Sequence, residues 1–111
     1  MIKMAMSKAA SALLRALIAR SGAPRDRILL IDVQSADWRS LTFTGERHSI
    51  ELRISAPHSH AIADRMCSGL EDAEFSIPGI IVADIGLTGE PVRSADGSTT
   101  ISIEALTVAD D

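Results

Sequence analysis

A chain of 111 residues with 46% hydrophobic and 3% aromatic residues reads as one ordered domain with an aliphatic core, which excludes disorder and disfavours a pocket lined with aromatic rings. Its net charge of -4 leaves no excess of Lys and Arg to neutralise phosphates, which argues against nucleic-acid binding. The single cysteine, Cys67, excludes an intrachain disulfide.

The opening MIKMAMSKAASALLRALIAR looks superficially like a signal peptide, but Lys3, Lys8, Arg15 and Arg20 break its apolar run. It is also too short and too charged to span a bilayer, so a cytosolic product is expected. Met1, Met4 and Met6 are all candidate initiators. From about Met4 to Arg20, Met6, Ala10, Leu13, Leu14, Leu17 and Ile18 recur at helical spacing. Gly22 and Pro24 then stop the helix. Arg15, Arg20, Arg25 and Arg27 read as a solvated helix end rather than a basic patch.

Ile28 to Val33 is a short apolar run, expected to be a strand buried on much of both faces. Trp38 to Thr44, WRSLTFT, alternates, with Leu41 and Phe43 on one side. Gly45-Glu46 reads as a turn or bulge. Arg47 to Ser55 alternates more cleanly, with His48, Ile50, Leu52 and Ile54 on one face. Pro57 interrupts it. His58 or Ser59 opens a second helix with the stripe Ile62, Met66, Cys67 and Leu70. After a loop at Ile77-Pro78-Gly79 comes the strand Ile80 to Leu87. Asp96-Gly97 marks a tight turn before a last strand from about Thr99 to Val108. In that strand the apolar parity shifts at Leu106 and Val108, which reads as a bulge or an exit from the sheet. The chain ends in an acidic Asp110-Asp111.

The expected fold is therefore α+β: an antiparallel sheet of about four strands, in the order α-β-β-α-β-β, with two helices packed on one face. Glu51, Arg53, Ser102 and Glu104 would dress the other face. Few residues point to chemistry. His58, His60 and Asp64 have metal-ligand types but no evident fourth ligand. Cys67 sits beside Met66 on an apolar stripe, where a thiol behaves as a small hydrophobe rather than a nucleophile. The glycines form no phosphate loop. No catalytic residue, cofactor or metal is expected. By itself this order also suits a small ligand-binding or regulatory α+β domain of the ferredoxin-like kind.

The order and spacing of several pieces resemble a known family. They are the helix SKAASALLRALIA, the pair Asp37-Trp38, the run Thr44-Gly45-Glu46-Arg47-His48, the strand Ile50 to Ile54, the helix HAIADRMCSGLEDAEF, and a turn at Ser94 to Thr99 before the last strand. Together they resemble the tail-completion, or tail-terminator, proteins of long-tailed bacteriophages and gene transfer agents. The segment Gly22 to Arg27 is shorter than the corresponding family loop. The resemblance implies a structural, non-enzymatic virion component. It would form a ring, usually a hexamer, that caps the tail tube and joins it to the head. Its partners would be copies of itself, the tail tube protein and a head-tail connector or stopper. No membrane would be involved, and DNA would be only passing cargo, to which an acidic channel is suited. It would be made in the bacterial cytoplasm and end in the particle's tail. Two readings of Trp38 stay open. It is a rim residue closing the aliphatic core, or it belongs to an extended hairpin, Asp37 to Arg47, that reaches a neighbouring subunit. On the second reading Asp37, Trp38, Arg39, Phe43 and Arg47 are the candidate interface residues, since interfaces are enriched in Trp and Arg.

Overall fold

A computed structural model describes residues 6–110. The first helix, α1, runs Lys8–Ser21; the expected start at Met4, like the final Asp111, lies outside the described residues. Ser7 caps α1 by accepting a hydrogen bond from the Ala10 amide, and Gly22, at φ 70°, ends it in the left-handed conformation that glycine adopts without strain. Ala10, Leu13, Leu14 and Leu17 form its buried stripe. A short 3-10 turn at Arg25–Arg27 leads into the sheet.

The strands are β1 (Ile28–Arg39), β2 (Thr44–Ile54), β3 (Ile80–Leu87), β4 (Val92–Arg93) and β5 (Thr99–Ala109). Helix α2 (Ser59–Cys67) lies between β2 and β3, and a 3-10 turn at Leu70–Asp72 follows it. The sheet has the order β1-β2-β5-β3, with the two-residue β4 pairing with β5, and every pairing is antiparallel. The α+β class, the antiparallel sheet and the two helices thus agree with the expectation, with β4 an added short strand.

Register explains where the core sits. Leu30 faces Leu52, Val33 faces Ile50, Ile50 faces Ile103 and Leu52 faces Ile101. These side chains share one sheet face and join Leu13, Leu17, Ile62 and Met66 of the helices in a single core cluster. Both helices therefore cover the same face. Each fully buried Leu or Ile contributes roughly 1.5–3 kcal/mol, and no aromatic ring is needed at the centre. On the other face Glu51, Ser102 and Arg53 are half-buried and Glu104 is exposed, as expected.

Four local readings are corrected. Ile28 to Val33 is not buried on both faces: Leu29 is 59% and Ile31 38% exposed. The pairing shifts between Leu30 and Asp32, so a bulge at Ile31 resets the parity and turns both Leu30 and Val33 inward. The segment Trp38 to Thr44 is not a separate strand. Trp38 and Arg39 end β1, and Ser40 to Phe43 make the turn of a long hairpin. Gly45-Glu46 is neither turn nor bulge but lies within β2. A Cβ on Gly45 would stand 1.9 Å from the Thr107 carbonyl oxygen, so glycine is required there by the close approach of β5. Finally, β5 pairs with β2 without a shift. Ala105 and Thr107 continue its helix-side face, while Leu106 and Val108 simply turn the other way.

Arginines tie the elements together. Near the end of α1, the Arg20 guanidinium donates to the carbonyls of Met66 (2.9 Å) and Ser68. Near the end of α2, Arg65 donates to the carbonyl of Ser21 at 2.8 Å. Each helix thus lends a cation to the carbonyl end of the other, where unpaired acceptors and the negative end of the dipole collect. Arg27 donates to the carbonyls of Ser55 and Pro57. Of the four arginines read as a solvated end, Arg20 and Arg27 are instead inter-element clips.

Candidate subunit interface

The β1–β2 hairpin closes through Ser40. Its amide donates to the Phe43 carbonyl at 2.9 Å, and its hydroxyl accepts from the amides of Phe43 (3.0 Å) and Thr42 (3.3 Å). A serine hydroxyl bonding the backbone two and three residues on builds a turn without glycine or proline. The turn leaves Leu41 wholly exposed and Phe43 52% exposed.

The structure gathers all five candidate residues at this end of the hairpin. Asp37 stands opposite Glu46, Trp38 opposite Gly45, and Arg39 opposite Thr44, with Arg47 opposite Ala36. Asp37, Arg39 and Arg47 are exposed, and none takes part in an ion pair among the described residues. Trp38 is half-buried and is not among the side chains packed on the core cluster. It lies on the face away from the helices, in a cross-strand row with Gly45, Val108 and Ile81. That row is apolar throughout, and Ile81 at its far end is 45% exposed.

A polar seam separates this end from the core. His48 is 2% exposed. Its Nδ1 is 2.7 Å from the Ser35 hydroxyl and its Nε2 2.8 Å from the Thr107 hydroxyl. A neutral imidazole satisfies both contacts, with one nitrogen donating and the other accepting. Burial holds the His48 pKa below its ordinary value, with Glu46 pulling the other way. The seam crosses β1, β2 and β5 on the helix-side face.

The remaining reactive groups stand apart. His60 Nε2 lies 3.4 Å from Asp64 Oδ2, both exposed on one turn of α2. Among the described residues, no group of three His, Cys, Asp or Glu side chains is placed to hold a metal ion. Cys67 is half-buried, and burial pushes its thiol pKa up, with Asp64 adding to the rise and Arg20 opposing it. At the opposite end of β2 Arg53 pairs with Asp96 at 2.8 Å, and the Ser98 hydroxyl and amide donate to the same carboxylate and lower its pKa. Among the described residues no helix is long and apolar enough to cross a membrane. The chain matches no protein-family model, no curated protein and no solved structure.

Proposed function

We propose that this protein is a ring-forming tail terminator, a structural virion component that caps the tail tube and joins it to the head in a phage or gene transfer agent. The observation that carries this reading is the hairpin end. Leu41, Phe43 and Trp38 stand outside the core, and Asp37, Arg39 and Arg47 lack ion partners within the described residues. Exposed apolar groups beside unpaired charges are costly to keep on a free surface and suited to a protein contact. Repetition of one contact around a closing rotation gives a ring. The order of elements and the motifs at Asp37-Trp38 and Thr44 to His48 support the family resemblance. The tube protein and a head-side connector are the proposed neighbours, with DNA passing through the channel.

Two measurements test this. Native mass spectrometry of the pure protein should show a closed oligomer, with six copies expected. Electron microscopy of tails assembled without it should show tubes of uncontrolled length, and adding the protein should restore a fixed length. A strict monomer that leaves tube length unchanged would sink the proposal.

A further inference from the structure

The chain is acidic overall, with 15 Asp and Glu against 11 Lys and Arg. Residues 1–25 nevertheless hold Lys3, Lys8, Arg15, Arg20 and Arg25 and no Asp or Glu. Arg20 is taken up by the carbonyls of Met66 and Ser68. Lys8 and Arg15 are exposed and enter no ion pair among the described residues. They stand two turns apart on one face of α1, which sets their backbones roughly 10 Å apart along the axis. The Arg15 guanidinium donates to the Ser11 hydroxyl at 3.0 Å, which lays it along the helix.

A groove of about 520 Å³ runs beside these two cations. Ala12 of α1 lines one side, and Ile77, Pro78 and Ile80 line the other. The Ile80 amide donates to the Ile77 carbonyl at 3.2 Å. Pro78 and Gly79 thus close a tight turn, which holds the apolar wall in place before anything binds. Among the described residues no carboxylate lines the groove. On adjoining elements, Glu46 lines a separate hollow that shares Lys8 and Ile80, and Asp110, whose amide donates to the Gly79 carbonyl, lines neither.

Two cations beside an apolar wall select among anionic partners. Nucleic acid is held by many phosphate contacts or by aromatic rings that stack its bases, and this groove offers two cations and no ring. An anionic membrane takes up the apolar face of a helix, and the apolar stripe of α1 is already buried in the core. A peptide segment with carboxylates on either side of an apolar side chain matches both the charges and the wall.

We infer that this groove docks an acidic segment of a partner protein, with one carboxylate at Lys8, another at Arg15, and an apolar side chain between them against Ile77, Pro78 and Ile80. In a polyproline II segment, which rises about 3.1 Å per residue with three residues per turn, carboxylates three residues apart share one face and span the required distance. The groove is separate from the hairpin end, and its use does not depend on the ring reading.

The probe is a fluorescein-labelled peptide containing Glu-Leu-Pro-Glu, read by fluorescence anisotropy against the full chain. Saturable binding is expected. Replacing both peptide glutamates with glutamine should weaken it about tenfold, and so should Lys8→Glu combined with Arg15→Glu, because each change removes two charge contacts. A peptide containing Lys-Leu-Pro-Lys should bind that double variant better than it binds the wild type. Both positions are exposed; circular dichroism and a melting curve establish that the variant is folded, and Lys8→Gln with Arg15→Gln stands in if it is not. A wild-type chain that shows no saturable binding overturns the inference, as does equal binding of the glutamine peptide. Tighter binding of a short oligothymidylate or of phosphatidylserine vesicles overturns it in favour of nucleic acid or lipid. Loss of self-association in the double variant, with no peptide bound by the wild type, overturns it in favour of a second copy in the groove. Each of these outcomes leaves the reading of the hairpin end standing.

Discussion

Replacing Arg20 with Ala removes the cation that α1 lends to α2. Two carbonyls lose their donor, those of Met66, at 2.9 Å, and Ser68. Ser68 is exposed, so water replaces the arginine there at little cost. Met66 is fully buried, and a carbonyl left without a partner in such a place costs about 1–3 kcal/mol. The lost charge at the helix C-terminus adds roughly 0.3–1 kcal/mol. The expected destabilisation is about 2 kcal/mol, or roughly 8 °C in melting temperature for a domain near this size. Arg65→Ala removes the reciprocal bond to the carbonyl of Ser21, which is also buried, and should cost about 1–2 kcal/mol. Arg20→Lys is the control. An ammonium lacks the planar fork that reaches two carbonyls, so it should restore less than half of the loss. Urea unfolding followed by far-ultraviolet circular dichroism is the assay, because the only tryptophan, Trp38, sits on the hairpin and its fluorescence would report that end first. A loss under about 0.5 kcal/mol for Arg20→Ala, the ordinary range for a surface change, would refute the reasoning and leave the helix pair held by apolar contact alone.

Trp38→Ala should weaken ring formation at least tenfold, about 1.4 kcal/mol per interface, while the isolated subunit melts within about 4 °C of wild type; equal losses in sedimentation and melting would return Trp38 to the core. Gly45→Ala drives a methyl into the β5 backbone and should cost about 3 kcal/mol or more, so that soluble, wild-type-stable Gly45→Ala protein would contradict the register. Because His48 has a lowered pKa when folded, the unfolded chain binds that proton more readily, and stability present above the unfolded value of about 6.5 is lost as pH falls through it. Urea midpoints measured from about pH 7.5 to 5.5 should fall, and His48→Gln should flatten the slope; an unchanged slope would show that His48 does not drive it.

The elements most legible in the sequence are those whose signals are local. The buried stripe of α1 ends at a glycine, and β3 runs over Ile80–Leu87 as the pattern predicts. Readings failed where the cause lies far along the chain or in one side chain. WRSLTFT alternates like a strand, yet a single hydroxyl, on Ser40, folds it back. Gly45 looks like turn punctuation, but its reason is Thr107, some sixty residues away. The arginine clips join residues 46 and 44 positions apart, which no local pattern shows. The grouping of Asp37, Trp38 and Arg47 at one end of a hairpin was legible, because alternation and a short connection force neighbouring strands together.

The Ser35–His48–Thr107 seam marks where the core cluster stops along the hairpin. Beyond His48 the helix-side face of β1 and β2 carries Asp37 opposite Glu46, a like-charged pair that destabilises an isolated sheet. On the other face the same stretch carries Trp38 beside a glycine that offers no side chain to cover it. Neither face at this end adds a side chain to the core cluster. If stability of the single subunit were the selected property, shorter strands ending near Ser35 and His48 would give nearly the same core without an exposed Phe43 or a facing pair of carboxylates. The extra length makes physical sense when a second surface meets it, one that supplies cations to Asp37 and Glu46 and apolar area to Trp38. A single charge reversal tests that directly. Asp37→Lys should raise subunit stability slightly, by up to about 1 kcal/mol, through relief of the facing carboxylates, and at the same time weaken assembly. A gain in both would mean that this end of the hairpin meets no partner.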